Sequence, residues 1–354
     1  MKNSTTHVTV ALTKRPSFER PLFLPQYVSA TPAIVPSPAD LPSWKRITIV
    51  IITLTIINNT DKTNKITVSE VTHSVFYAPF YVALENKYFD DLEIDLILTS
   101  GANNVVASVI SGDADIGLCG PEATIYSYLN GNKNTIKSFA SLTKRDGQFL
   151  VLRNNIKYEK FNDIENLTIL AGRSGGMPLL NFKNALDNTN TKNVTIDTSI
   201  DFANLTSAFI SGIGDGVNLF EPNASLLVKQ GYGYIADNIG TYSGTMPYTA
   251  FNATTTFINE NKDIITTFYK GIKKGLEYVK NNEPKDIANT IKNQFPDTNI
   301  EDLTTMITNY KNSNVWYETP VIPETDFNNL QDIMINYNEI KEKVSYKDLV
   351  YELN

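Results

Sequence analysis

The sequence predicts two α/β lobes, each built on a largely parallel sheet and joined by two strand-like crossings. Three observations carry that reading. A strand–helix–strand–helix unit occurs twice, about one hundred residues apart. Both copies carry the same punctuation in register. Two further strand-like segments lie where the chain would pass from one lobe to the other.

The first unit runs from Glu93 to Gly131 and the second from Asn193 to Gly231. Each opens with a short apolar strand, Ile94 to Leu98 and Val194 to Ile196. A helix follows, its apolar stripe marked by Val105, Val109 and Ile110 in one copy and Leu205, Phe209 and Ile210 in the other. Both helices stop at Ser-Gly (Ser111-Gly112, Ser211-Gly212), where glycine supplies the left-handed cap. A second strand comes next, Asp115 to Cys119 and Gly216 to Phe220, and each meets a proline, Pro121 or Pro222, at the first turn of another helix. Such alternation favours parallel strands with right-handed crossovers. It also puts the turns after the strands at the ligand-facing edge of an open sheet.

The remaining elements fit around these units. Ile66 to Val71 alternates as a strand, and Ala78 to Lys87 reads as the helix after it. Gln148 to Arg153 is a strand leaving the first lobe, Leu167 to Ala171 opens the second, and Tyr248 to Phe257 returns to the first. Ile265, Phe268, Ile272, Leu276 and Val279 share one helical face that ends by Pro284. Further helices are expected at Lys285–Asn293, Ile300–Asn312 and Pro323–Val344. The expected limits are a leader at 1–65, one lobe at 66–153 with 247–354, and a second at 154–246. Two crossings, near Arg153 and near Gly244, make a hinge, and a hinge between lobes makes a clamp.

The leader differs in composition from the rest. Seven prolines lie between Pro16 and Pro42, with no sustained period. Lys45-Arg46 then precedes the apolar run Ile47 to Ile57, which resembles a secretory signal. The run is short of the ~20 residues that span a bilayer. It begins late for a signal and no cysteine follows it to carry a lipid, so a displaced gene start and a buried β-branched strand are the competing readings.

Composition removes whole classes of chemistry. The 354 residues carry 31 Lys+Arg against 38 Asp+Glu, a formal charge of −7, with no clustered basic footprint for nucleic acid. Cys119 is the one cysteine, so neither an internal disulfide nor a cysteine metal cage is available. With His7 and His73 the only histidines, a multi-histidine metal site is excluded and a serine–histidine–aspartate triad would have to use His73. The sequence points to no catalytic residue and no cofactor.

Candidate ligand contacts come from the turns. Gly120-Pro121-Glu122 starts a helix directly after a strand, where unpaired amides can take an anion or a carbonyl. Gly101 sits in the corresponding turn after the preceding strand. Arg173, Ser174 and Gly175 lie in a glycine-rich segment whose backbone can approach a guest closely, and Arg173 offers fork geometry to an acidic group. Arg145 and Asp146 are either an ion pair at the cleft rim or ligand contacts. Glu221 either caps the helix after Pro222 or accepts from a ligand nitrogen. His73 follows the first strand and either makes a structural bond or touches ligand. Tyr77 and Tyr248 offer ring faces and hydroxyls.

From Ile66 to about Leu349 the chain resembles the SsuA/THI5-like (NMT1/THI5-like) periplasmic substrate-binding proteins. The likeness rests on Phe76-Tyr-Ala-Pro-Phe-Tyr-Val-Ala83, Lys87-Tyr-Phe89, Leu98-Thr-Ser-Gly-Ala102 and Gly112-Asp-Ala-Asp-Ile-Gly117. Gly120-Pro-Glu-Ala123, Gly172-Arg-Ser-Gly-Gly176 and Phe220-Glu-Pro222 complete it. The resemblance implies a type II periplasmic binding protein fold and a solute-binding role in an ABC importer, outside the cytoplasm and with a membrane permease as partner. It implies a small-molecule ligand such as a sulfonate- or nitrate-like anion, a thiamine-precursor pyrimidine or another heterocycle. Arg145 and Arg173 lean toward an anion and the aromatic residues toward a heterocycle. Two other functions stand beside import: a THI5-like pyrimidine synthase, whose branch has a cysteine-rich segment that this chain lacks, and a ligand-sensing module without a transporter.

Overall fold

The computed structural model describes residues 64–353 apart from 133, 134 and 173. Residues 1–63 of the expected leader, with its apolar run 47–57, and Arg173 lie outside the described residues, and Lys65 already belongs to the first strand. Among those described, no helix is long and apolar enough to cross a membrane.

The strands are β1 Lys65–Glu70, β2 Glu93–Leu98, β3 Ile116–Cys119, β4 Ile136–Thr143, β5 Phe149–Leu152, β6 Thr168–Leu170, β7 Thr195–Asp197, β8 Gly216–Leu219, β9 Tyr234–Asn238 and β10 Thr249–Thr254. The helices are α1 Ala78–Glu85, α2 Ala102–Ser111, α3 Glu122–Leu129, α4 Met177–Asn188, α5 Leu205–Ile210, α6 Asn223–Lys229 and α7 Gly240–Ser243. They continue with α8 Thr255–Glu260, α9 Lys262–Asn281, α10 Pro284–Ile291, α11 Ile300–Asn312, α12 Glu324–Asn336 and α13 Tyr346–Leu349.

Two sheets result, ordered β2-β1-β3-β10-β4 and β7-β6-β8-β5-β9. In each, the two strands of one sequence unit run parallel to a strand that precedes the unit, and a fourth, β10 or β5, inserts antiparallel beside them. The repeated punctuation has a physical basis in these sheets. The Asp115 carboxylate accepts from the Thr67 amide at 2.8 Å, and the Asp115 amide donates to the Thr67 carbonyl at 2.9 Å. Asp215 does the same for Thr168, at 2.8 and 2.7 Å. Each aspartate thus stitches the strand it precedes to the first of the three parallel strands of its own sheet. The Ser-Gly stops behave as predicted in the first unit, where Gly112 is a left-handed cap at φ 83°. In the second, α5 ends one residue earlier, at Ile210, and the left-handed glycine is Gly212 at φ 99°.

The long helix α9 turns Ile265, Phe268, Ile272, Leu276 and Val279 into the core, each at most 2% exposed. Burying side chains of this size contributes ~1.5–3 kcal/mol apiece. Phe268 stacks on Phe89 at 5.0 Å and meets Phe251 edge-on at 4.9 Å, which locks α9 to the first sheet. Phe76, Tyr77, Phe80 and Tyr81 are all buried, so packing takes up most of the aromatic cluster around α1.

Sheet membership moves one expected limit. The strand predicted at Gln148–Arg153 pairs with β8 and β9 of the second sheet, so the chain crosses at 144–148 rather than near Arg153. Its wholly apolar core, Phe149 to Leu152, is buried on both faces and would suit either sheet. The return crossing runs through 244–248, with the Met246 amide bonded to the Lys144 carbonyl at 3.0 Å and the Tyr248 amide to Thr143 at 2.9 Å. The returning strand stops at Thr254, whose hydroxyl accepts from the Phe257 amide and starts α8. The helix expected at Pro323–Val344 ends at Asn336. Beyond it the Gln331 side chain accepts from the Val344 amide at 2.6 Å and donates to its carbonyl at 3.1 Å, fixing an irregular return.

Candidate functional site

A cavity of about 520 Å³ opens between the two sheets. The first sheet's side supplies Val71 and Thr72 after β1, Ser100 to Asn104 after β2, Gly120 and Glu122 after β3, Tyr77, and Tyr248 with Thr249 at the return crossing. The second supplies Gly176 to Pro178 at the start of α4, Asp201 to Asn204 before α5, and Phe220 after β8. These are the strand-end turns that parallel sheets turn toward a ligand.

Of the residues singled out from sequence, Tyr77, Gly101, Gly120, Glu122 and Tyr248 line the cavity. Pro121 is buried just behind it as the N-cap of α3. The expectation of unpaired amides at this helix start is not met for the next turn. The Ala123 amide donates to Gly120, and those of Thr124 and Ile125 donate to Pro121, at 3.0–3.2 Å. The Glu122 side chain folds back so closely that a Cβ on Gly120 would lie 1.9 Å from Glu122 Oε2.

The other candidates are placed differently. His73 is tied into the fold: Nδ1 meets Glu70 Oε1 at 2.6 Å, Nε2 meets the Gln294 carbonyl at 2.9 Å, and the Tyr81 hydroxyl donates to Glu70 Oε2 at 2.7 Å. The bond to Glu70 raises the imidazole pKa against the opposing effect of burial. Asp146 is fully buried. It accepts from the Gln148 amide at 2.8 Å and interacts with the Tyr248 hydroxyl, while desolvation pushes its carboxyl up to about 8. Arg145 is half-buried beside it and off the cavity wall.

Glu221 accepts from the Ser225 amide at 2.9 Å, the Ser225 hydroxyl at 2.6 Å and Asn309 Nδ2 at 3.0 Å. Burial raises its pKa and these bonds oppose the rise. It therefore caps α6 and ties the turn after the central strand β8 to α11. Ser174 is exposed outside the cavity wall, and the Gly175 carbonyl accepts from the Tyr126 hydroxyl at 3.4 Å.

Sequence reasoning missed the Asp201–Asn204 turn, the Met177 face of α4 and the ring of Phe220 as cavity walls. Phe220 packs on Phe76 at 5.3 Å and Phe202 on Phe220 at 5.8 Å, so the rings form a continuous wall. The signal was present in the repeat: 201–204 holds the same place after β7 that 101–104 holds after β2.

A family model described as NMT1/THI5 like matches residues 75–286. YtlA, a chain of Bacillus subtilis (strain 168) that carries the name of a binding protein, is 38% identical over 291 residues, covering 81% of this chain and 87% of YtlA. Among solved structures, the alkanesulfonate-binding protein SsuA from Xanthomonas axonopodis pv. citri, bound to MOPS, superposes with a TM-score of 0.64. It shares 11% identity over 82% of this chain and 98% of its own. The ligand-binding component of an ABC-type import system from Staphylococcus aureus also gives 0.64, at 15% identity over 81% and 96% of the two chains. The fold is that of the type II periplasmic binding proteins, and the chain belongs to the NMT1/THI5-like family.

Proposed function

We propose that this chain is the solute-binding component of an ABC-type importer, working outside the cytoplasm and delivering a small molecule to a membrane permease. The observation that carries the reading is the cavity whose walls come from both sheets, beside two crossings bonded to each other. A guest touching both walls favours the closed arrangement by its differential affinity. Moving such an equilibrium from mostly open to mostly closed takes about 5.5 kcal/mol. A few hydrogen bonds and aromatic contacts supply energy of that order. The names of the relatives agree with this role. The aromatic walls favour an organic guest over a bare inorganic ion.

Binding without turnover is part of the reading. The Cys119 thiol sits in the core, accepts from Asn252 Nδ2 at 3.4 Å and is held protonated by desolvation, which removes its nucleophilic form.

The test is to purify the chain natively, release any carried small molecule with denaturant, identify it by mass spectrometry and add it back to refolded protein. The expected result is reversible one-to-one binding, contraction in small-angle scattering, recovery of the molecule at unchanged mass, and loss of binding in Ala203→Trp, which fills the cavity from an exposed position. Chemical conversion of the molecule, or binding untouched by Ala203→Trp, overturns the proposal.

A further inference from the structure

We infer that the turn Tyr337–Glu339, together with Tyr126, is a latch on one side of the cleft, holding α4 and the Gly175 turn against the first sheet's half until a guest enters or leaves. The inference rests on the cleft reading above and adds which edge of the cleft opens. The two halves meet along two seams of unlike depth. In one, the first half grips the turn after β8. The Ser74 hydroxyl donates to the Glu221 carbonyl at 2.5 Å, and the Glu221 amide donates to the Tyr310 hydroxyl at 2.8 Å. Ser74, Glu221 and Tyr310 are each at most 1% exposed. The Tyr310 ring packs on Phe76 and on Phe149 of the second sheet, each at 5.3 Å. Parting this seam would strip buried polar groups of their partners.

The other seam is shallow. Helix α12 is anchored to the first sheet: Phe327 meets Tyr346 edge-on at 5.8 Å, and the Tyr351 amide donates to Ser138 of β4 at 2.9 Å. The chain leaves α12 through Tyr337 and a left-handed Asn338 at φ 62°, and the Glu339 amide donates back to the Met334 carbonyl at 2.8 Å. The turn is therefore fixed to its own helix. From it the Tyr337 hydroxyl donates to Asp187 of α4 at 2.5 Å, with Lys183 of the same helix 5.7 Å from its ring. Glu339 Oε2 lies 3.1 Å from the Tyr126 hydroxyl, whose proton it shares with the Gly175 carbonyl. Asp187 is exposed, and Tyr126, Tyr337 and Glu339 are half-buried. Hydrogen bonds at such depth exchange for water at small cost, so this seam yields before the buried one. The latch brackets α4, with Gly175 just before its start and Asp187 near its end. Gly176, Met177 and Pro178 at that start are cavity wall, so releasing α4 opens the cavity.

The test places a reporter thiol on the cavity wall by Thr249→Cys, at a position 3% exposed. Its alkylation by N-ethylmaleimide is followed in protein freed of small molecules, with and without Tyr126→Phe/Tyr337→Phe, which removes the latch hydroxyls and keeps the rings. Cys119, buried in β3, is the internal measure of general loosening. The expected result is about tenfold faster alkylation at 249 in the latch variant, the scale of two weak hydrogen bonds, at an unchanged Cys119 rate. In the opposite sense, Asp187→Cys/Tyr337→Cys bridged by a bismaleimide should take up the molecule released from purified protein at least tenfold more slowly than the same variant capped with N-ethylmaleimide. Equal alkylation at 249 with and without the hydroxyls, equal acceleration at 249 and at Cys119, or unhindered uptake by the bridged protein overturns the latch. The alkylation arm uses no guest, so it judges the latch even where conversion of the released molecule overturns the binding role.

Discussion

Replacing Asp146 by asparagine should remove a pH-dependent weakness from the fold. The carboxyl is wholly buried at the crossing between the sheets, and burial raises its pKa from 3.8 to about 8. In the unfolded chain the same group ionises near 4. Between those values the folded state holds a proton that the unfolded state has released, so stability falls as pH rises through that window. At ~1.4 kcal/mol for each pH decade, the gap corresponds to a loss on the order of 5 kcal/mol by pH 9. About three of those decades lie above pH 5, so at about 2 °C per kcal/mol for a body of this size the melting temperature should drop by about 8 °C between pH 5 and pH 9 on account of this group. Asparagine keeps the shape and cannot ionise. His73 and Glu221, whose pKa values are also raised, add losses of the same sign in both proteins. The quantity to read is therefore the difference between wild type and Asp146→Asn across the pH series, by calorimetry. Parallel curves would refute the reasoning, because they would mean that the folded carboxyl ionises as easily as the unfolded one.

Asp115→Ala and Asp215→Ala should destabilise by similar amounts, about 1–2 kcal/mol each, since each orphans an equivalent backbone amide; unequal losses in denaturant titration would show that the two stitches are not equivalent. Gly275→Ala would place a methyl carbon 2.1 Å from the Pro79 carbonyl oxygen, so α9 must lift from α1 at a cost of about 1–3 kcal/mol. An unchanged melting temperature would mean that the helices part freely. Phe268→Ala removes the ring between Phe89 and Phe251 and should cost about 3–5 kcal/mol, checked by the same titration.

The parallel half of each sheet was legible in the sequence because its helices and strands end in punctuation that physics demands, a left-handed glycine and a proline; the stitching aspartates before β3 and β8 emerge only from the structure. The α9 stripe was legible for a similar reason, with apolar residues at helical spacing over a long window. The antiparallel half was harder. Ile136 to Thr143 mixes apolar residues with Lys137, Ser138, Ser141 and Thr143, all but Lys137 buried, so no alternation marks β4. Phe149 to Leu152 announced a strand and carried no mark of which sheet it would join. At the cavity, Gly101, Gly120 and Glu122 are singled out by turn positions and Tyr77 and Tyr248 as aromatic residues, and all five lie on its wall. His73 and Glu221 stayed open between two roles because a polar residue at a turn looks the same in sequence whether it faces a guest or a partner 221 or 88 positions away.

The antiparallel inserts also bear on how the molecule is made. Emerging from the ribosome, the second sheet has all its strands once Asn238 is out, whereas the first still waits for Thr249–Thr254 to fill the gap between β3 and β4. For the interval in which those residues are synthesised, the apolar flank Ile116 to Cys119 is a bare strand edge, the kind of surface that chaperones guard and that neighbouring nascent chains can pair with. The half begun first is thus finished last, and truncation between Asn238 and Thr249 would yield one complete sheet attached to one permanently open one.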